Sequence, residues 1–152
     1  MINYIPSYQR LEFIGDAVLD YLITYYIYQK NQGLSSAQIT MLREALVNNT
    51  FYASVAVKYR LHTYLRFSNS SLHASIFTFV KKYQCQKYQQ LGKFVNESIE
   101  ENEAMDIDEI DVPKALADVF EALIGAIYID NGFDLDELWR VVYSMIKIEV
   151  GK

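Results

Sequence analysis

Apolar residues recur every three or four positions along most of the chain, which is the spacing of one face of an α-helix. The first pattern predicts a long helix from Tyr8 to Tyr28, and Gly33 ends that region. Further helices are predicted from Ser35 or Ser36, from Asn49 or Thr50 to Tyr59, from Ser70 or Ser71 to about Leu91, from Pro113 to about Asp130, and from Asp134 onwards. No segment has a convincing strand pattern, and turn-forming residues are few, with 6 Gly and 2 Pro. The sequence therefore predicts an all-α fold of six helices.

The helical pattern is interrupted once, between Gly92 and Val112, where the sequence is polar and strongly acidic. Residues 97–111 contain eight acidic side chains and no Lys or Arg, which predicts a loop. The 152 residues match the length of one ordinary domain, and the chain has no internal repeat or linker. We therefore expect a single domain over residues 1–152 with an acidic loop at about 92–112.

Composition excludes several classes of protein. A hydrophobic fraction of 51% excludes a chain that is disordered throughout. The single cysteine, Cys85, excludes an internal disulfide framework and a cysteine-only zinc site. The longest apolar stretch near the start, residues 21–28, is far too short to span a bilayer. We expect a cytoplasmic protein, with the nucleus as the alternative, and no membrane partner.

Charge is distributed unevenly along the chain. The net charge is −5, yet the chain without its acidic block would carry +3. Between Ala45 and Asn96 there is no acidic residue, and the basic residues there are Lys58, Arg60, Arg66, Lys81, Lys82, Lys87 and Lys93. Such a segment is suited to bind a polyanion, and a merely solvated surface is the alternative.

Carboxylates stand inside two otherwise apolar helical segments. Glu12 and Asp16 are four residues apart, and Asp118 and Glu121 are three apart, so each pair shares one helix face. We find no basic residue at a position that would make either pair a salt bridge. A bound Mg²⁺ would relieve the repulsion, because it prefers carboxylate oxygens. The two pairs together predict a one- or two-metal site suited to phosphodiester hydrolysis, whereas either pair alone would be explained by an exposed position or a hydrogen bond to an amide.

A glycine stands close to each acidic pair. Gly15 and Gly125 each cost about 1 kcal/mol inside a helix relative to alanine. Their positions predict the close approach of another backbone.

These segments resemble the motifs of the ribonuclease III family. Residues 11–19 (LEFIGDAVL) are similar to the family's signature stretch, and residues 118–126 (DVFEALIGA) to its second acidic motif. Arg43 and residues 46–49 resemble the segment between them. The resemblance implies the helical fold of a ribonuclease III endonuclease domain.

Within the family, the likeness is greatest to the second, C-terminal ribonuclease III domain of Dicer-type members. It rests on residues 8–10, 20–22 and 112–115 and on the acidic insertion. Gln9 departs from the glutamate common in bacterial members. The double-stranded-RNA-binding domain that usually follows is missing from the sequence, so we expect a fragment of a larger protein.

The resemblance implies a Mg²⁺-dependent endoribonuclease that cuts one strand of double-stranded RNA in small-RNA production. The cut would leave 5′-phosphate and 3′-hydroxyl ends. The metal ligands would be Glu12, Asp16, Asp118 and Glu121, and Mn²⁺ would substitute for Mg²⁺. Lys114 would stabilise charge at the reacting phosphate, with an exposed first-turn lysine as the alternative.

The resemblance also implies partners. Contacts to the phosphates of duplex RNA would come from Lys114, Lys58, Arg60, Lys81 and Lys82. Phe13 would insert into a partner domain, with an ordinary core phenylalanine as the alternative. That partner would be a second copy in isolation, or the first ribonuclease III domain of the same chain in a full-length protein.

Two questions stay open at the level of sequence. Asn48 could support the acidic residues by hydrogen bonding or simply end a helix. The alternative to a nuclease is a non-catalytic module of the same fold that serves dimerisation and RNA binding.

Overall fold

The computed structural model describes residues 7–66, 68–95 and 112–150. Within these ranges the secondary structure is helical, without a strand, so the all-α prediction is confirmed. Each of the six predicted helices begins within one residue of its expected start. The helices are α1 (Gln9–Lys30), α2 (Ser36–Leu46), α3 (Asn49–Lys58), α4 (Ser70–Val95), α5 (Lys114–Asp130) and α6 (Leu135–Val150), with a 3₁₀ turn over Leu61–Tyr64.

The chain divides into two compact units. One comprises residues 1–65 and 114–152 and contains every helix except α4, which belongs to the unit of residues 66–113. Helix α4 continues to Val95, past its predicted end, and residues 96–111 of the predicted acidic loop lie outside the described residues. The single domain over residues 1–152 stays a prediction. In the described part of the chain, no helix has both the length and the apolar character needed to cross a membrane.

Helix α5 forms the centre of the first unit because its side chains are apolar on nearly every face. It packs against α1 and α3, and less extensively against α6 and the 3₁₀ turn. Leu116, Phe120 and Ile124 are completely buried. The acidic residues of α5 therefore stand in the most enclosed element of this unit.

Helices α1 and α5 touch main chain to main chain. A methyl group added at Gly15 would overlap the carbonyl oxygen of Glu121, and one added at Gly125 would overlap the carbonyl oxygen of Leu11. The predicted close backbone approach at both glycines is confirmed. This contact brings the acidic turn of α1 against the acidic turn of α5.

A bidentate ion pair connects α2 to α1. The Nε of Arg43 donates to one carboxylate oxygen of Asp20 at 2.7 Å, and its Nη2 donates to the other at 3.0 Å. The paired geometry gives such a contact both strength and a fixed orientation. It therefore orients α2, which contributes no buried side chain of its own.

Candidate metal centre

Three carboxylates meet where α1 crosses α5. Glu12 from α1 and Asp118 and Glu121 from α5 each offer an oxygen atom, and these atoms lie within 4.8 Å of one another. Asp118 is 9% exposed and Glu121 is 7% exposed, whereas Glu12 is partly buried. Carboxylates this close and this enclosed need a cation to offset their repulsion. An all-oxygen, carboxylate-rich donor set suits Mg²⁺ or Mn²⁺, so the residues present fit such an ion.

Asp16, the fourth predicted acidic residue, lies at the margin of this cluster. Its side chain is exposed, one helical turn after Glu12 on α1. It lines the same cleft, and its charge acts on Glu121, but its oxygens are not among the three that meet. The fold therefore gathers three of the four predicted ligands and leaves Asp16 beside them.

The surroundings of Glu121 disfavour the charged form of its carboxyl. Burial, and after it the charges of Asp16, Asp118 and Glu12, raise the pKa of Glu121 to about 7. The ammonium of Lys114 opposes them. Near neutral pH, Glu121 therefore holds a proton for part of the time, and binding a cation would displace it.

Lys114 supplies the positive charge that the acidic cluster contains. Its ammonium donates to Glu12 at 3.1 Å and also donates to Asp118. The bond to Asp118 is the main reason that the pKa of Lys114 is raised. The expectation that no basic residue matches either acidic pair is thus wrong, because Lys114 precedes Asp118 by four residues on one helix face. Lys114 is still 65% exposed, which leaves its ammonium accessible to a ligand.

The acidic residues open into a cleft of about 410 Å³. It is lined by Gln9, Glu12, Phe13, Asp16, Asn49, Lys114 and Glu121. Gln9 and Asn49 were not predicted as site residues. Gln9 precedes Glu12 by three residues, a spacing that places both on one face and could have marked it. Asn49 comes from α3, and only the packing of α3 on α5 brings it to the cleft.

The side chain of Asn48 makes its hydrogen bonds at the end of α2 and the start of α3. Its side-chain oxygen accepts a hydrogen bond from the Phe51 amide at 2.8 Å and so caps α3. Its amide group donates to the carbonyls of Glu44 and Ala45, at 2.8 and 3.0 Å, and so closes α2. Of the two roles left open, the structural one is supported.

The predicted RNA-binding residues are distributed over both units. Lys58 is partly buried, and its ammonium donates to the carbonyl of Met145 at 3.1 Å. Arg60 is exposed, and Lys81 and Lys82 are exposed on α4. None of these four lines the cleft described above.

Phe13 is not a core residue. Its side chain is 79% exposed, although it stands in the middle of an apolar segment. A second hollow of about 710 Å³ lies beside it, walled partly by Ile129 and Phe133, which are also exposed. An exposed aromatic side chain among exposed apolar neighbours is typical of an interaction surface.

Comparisons with known proteins give the family of the chain. The profile described as Ribonuclease III domain matches residues 9–132. The chain is 45% identical over 140 residues to Endoribonuclease Dicer-S of Xenopus laevis, covering 92% of this chain. It is 42% identical over 156 residues to Endoribonuclease Dcr-1 of Drosophila melanogaster, covering 97% of this chain. In both cases the chain spans only 7% of the relative's length.

A solved structure is similar as well. It is the nuclease domain of Ribonuclase III from Campylobacter jejuni, described for structural flexibility in a region involved in dimer formation. The TM-score is 0.61 at 26% sequence identity, and the match covers 95% of this chain and 77% of the other. Together with the profile match and the Dicer relatives, this likeness shows that the chain belongs to the ribonuclease III family.

Proposed function

We propose that this chain is a Mg²⁺-dependent endoribonuclease domain that cuts one strand of double-stranded RNA and leaves 5′-phosphate and 3′-hydroxyl ends. The observation that carries the proposal is the meeting of three carboxylates within 4.8 Å at the crossing of two helices, in a chain of the ribonuclease III family. In a full-length Dicer-type protein the chain would be the second ribonuclease III domain and would act in small-RNA production.

The ligands of the ion would be Glu12, Asp16, Asp118 and Glu121. When bound, Mg²⁺ or Mn²⁺ would activate a water and stabilise the leaving oxygen of the phosphodiester. Glu12, Asp118 and Glu121 would hold it from both helices, and the more exposed Asp16 would complete the set from the mouth of the cleft. Since α1 and α5 contact each other through their backbones, the helical turns that carry these residues are held together before any ion arrives.

Lys114 would act on the phosphate of the substrate. In the ion-free chain its ammonium is shared between Glu12 and Asp118. A divalent cation on those carboxylates would compete with the ammonium and free it to turn towards solvent. At the cleft, the freed ammonium of Lys114 would offset the charge that develops on the phosphate oxygens.

Duplex RNA would be held through its backbone. Proteins recognise double-stranded RNA mostly by its shape, its phosphates and its 2′-hydroxyls, so little base specificity is expected. The exposed side chains of Arg60, Lys81 and Lys82 are suited to phosphate contacts. Lys58 would contribute less, because its ammonium already donates to Met145.

A paired domain would cut the other strand. The exposed ring of Phe13 beside an apolar hollow supports docking of a second domain of the same fold. The isolated chain would pair with a second copy of itself. In a full-length protein the partner would be the first ribonuclease III domain.

Cleavage of a long RNA duplex by the purified chain tests this proposal. We expect Mg²⁺-dependent products with 5′-phosphates, no products in EDTA, and none from Asp118→Ala, which removes a buried ligand. Asp130→Ala, an exposed position on the same helix, is the matched control and should cut normally. Cutting by Asp118→Ala at the wild-type rate would overturn the metal assignment. A folded dimer that binds the duplex but does not cut it would favour the non-catalytic pairing module.

A further inference from the structure

One polar group in the core of the first unit has no evident role. Tyr52 on α3 is 2% exposed, and its ring packs against Phe120 with the ring centroids 5.5 Å apart. Its phenolic oxygen is enclosed and has no hydrogen-bond partner among the described residues. Buried hydroxyls are nearly always paired, so an unpaired one calls for an explanation.

Three carboxylates act electrostatically on this hydroxyl. Burial raises the pKa of Tyr52, and the charges of Glu121, Asp16 and Asp20 raise it further, in that order. Arg43 acts in the opposite direction. The phenolic oxygen is therefore within electrostatic reach of Glu121, and its ring packs against Phe120, the residue directly before Glu121.

Glu121 is the acceptor that fits best. Both oxygens of Asp20 are engaged by Arg43, at 2.7 and 3.0 Å. Asp16 is exposed to water, which competes for its oxygens. Glu121 is buried, exerts the strongest of these charge effects on Tyr52, and follows directly after Phe120, against which the tyrosine ring packs.

A ligating carboxylate benefits from a donor of this kind. When one oxygen binds a cation, the other is left as an acceptor, and a hydrogen bond to it fixes the orientation of the ligand. Loss of such outer hydrogen bonds typically lowers metal affinity by about 10- to 100-fold. A hydroxyl that is already buried, as that of Tyr52 is, gives up no water when it makes such a bond.

We infer that Tyr52 is a positioning residue of the metal centre, whose hydroxyl donates to the carboxylate of Glu121 when Glu121 ligates a divalent cation. The inference rests on the proposed function, because it requires Glu121 to bind the ion. It assigns a role to a side chain that does not line the cleft.

Calorimetric titration of the purified chain with Mg²⁺ tests the inference directly. We expect Tyr52→Phe to bind Mg²⁺ about 10-fold more weakly than the wild type. Tyr64→Phe, at a tyrosine that is 79% exposed, is the matched control and should bind as tightly as the wild type. Unchanged affinity in Tyr52→Phe, alongside lost binding in Asp118→Ala, overturns the inference and leaves the proposed function standing. Absence of saturable binding by the wild type overturns both.

Two further measurements separate positioning from a purely structural role. Thermal unfolding in EDTA should be no lower for Tyr52→Phe, because the hydroxyl has no partner to lose in the ion-free chain. Addition of Mg²⁺ should shift the near-ultraviolet absorption of one tyrosine in the wild type and in Tyr64→Phe, but not in Tyr52→Phe. A destabilised Tyr52→Phe protein, or a shift that persists in it, contradicts the inference.

Discussion

At the scale of single residues, the carboxylates of the metal centre repel one another. Glu121 is buried beside two other carboxylates, and Lys114 offsets the charge of only two of the three through hydrogen bonds. The remaining carboxyl responds by holding its proton more tightly. The ion-free site is therefore sensitive to pH in the range where the protein would work.

This sensitivity predicts how stability changes with pH. The pKa of Glu121 is about 7 in the folded chain against an ordinary value of 4.5, so the folded state binds the proton more tightly than the unfolded state. The contribution of Glu121 to stability is therefore fully present below about pH 4.5 and is lost as the pH rises through about 7. In EDTA, we expect Glu121→Gln to reduce this loss and to melt at a higher temperature than the wild type near pH 8.

Thermal unfolding followed by circular dichroism, near pH 5 and near pH 8, measures the effect. Glu44→Gln, at an exposed position on α2, serves as the control and should follow the wild type. Equal pH dependence of the melting temperature in Glu121→Gln and the wild type would show that the charged form of Glu121 does not destabilise the folded chain.

At the scale of helices, the crossing of α1 and α5 depends on Gly15 and Gly125, because a side chain at either position would overlap the other helix. Gly15→Ala would drive a methyl group into the backbone of α5, which has no flexible end that can move aside. We expect a loss of about 3 kcal/mol or more in the free energy of unfolding, at the upper end of the range for overpacked cores. Urea denaturation measures it.

The chain contains a control for this substitution. Nothing lies within 4 Å of a methyl group built at Gly33, and its backbone does not have a positive φ. Gly33→Ala should therefore be neutral or slightly stabilising. Similar losses for both substitutions would mean that the helix contact is not the cause.

Helix boundaries were predictable because their signals are local. The capping box of Ser35 and Gln38 and the cap provided by Asp134 lie within a few residues of the helices they begin. The buried acidic residues were also predictable, since charges in an apolar segment stand out. The spacing of four residues between Lys114 and Asp118 also indicates an ion pair, although none was expected from the sequence.

Other features depend on contacts that no local pattern records. Asn49 lines the cleft, and Tyr52 packs against Phe120 beside Glu121 in the chain, only because α3 packs against α5. The marginal position of Asp16 depends on how far α1 is rotated about its axis, and apolar spacing defines that rotation only coarsely. The family motifs identified the acidic residues but not these neighbours.

At the scale of the whole molecule, the exposed ring of Phe13 predicts self-association. We expect Phe13→Ala to shift the purified chain towards the monomer in sedimentation velocity and to lower cutting of both strands together. Because the ring is 79% exposed in the single chain, its removal takes little from the fold itself, so any fall in melting temperature should come from lost pairing and should depend on protein concentration.

Tyr64→Ala removes an equally exposed ring elsewhere in the same unit and is the control. An unaltered sedimentation profile for Phe13→Ala would argue against a paired arrangement through this surface. A monomeric wild-type chain would argue against pairing with a second copy of itself.

The contact between Gly15 and the backbone at Glu121 also has a mechanical consequence. Together with the second contact, between Gly125 and the backbone at Leu11, it braces the two helices at two points, so one helix cannot rock freely on the other. Glu12, Asp118 and Glu121 stand within about one helical turn of these contacts, whereas Lys30 at the far end of α1 lies about four turns from Gly15. We therefore expect a displacement of the far end of α1 by a docking partner to change the distances among the ligand oxygens very little.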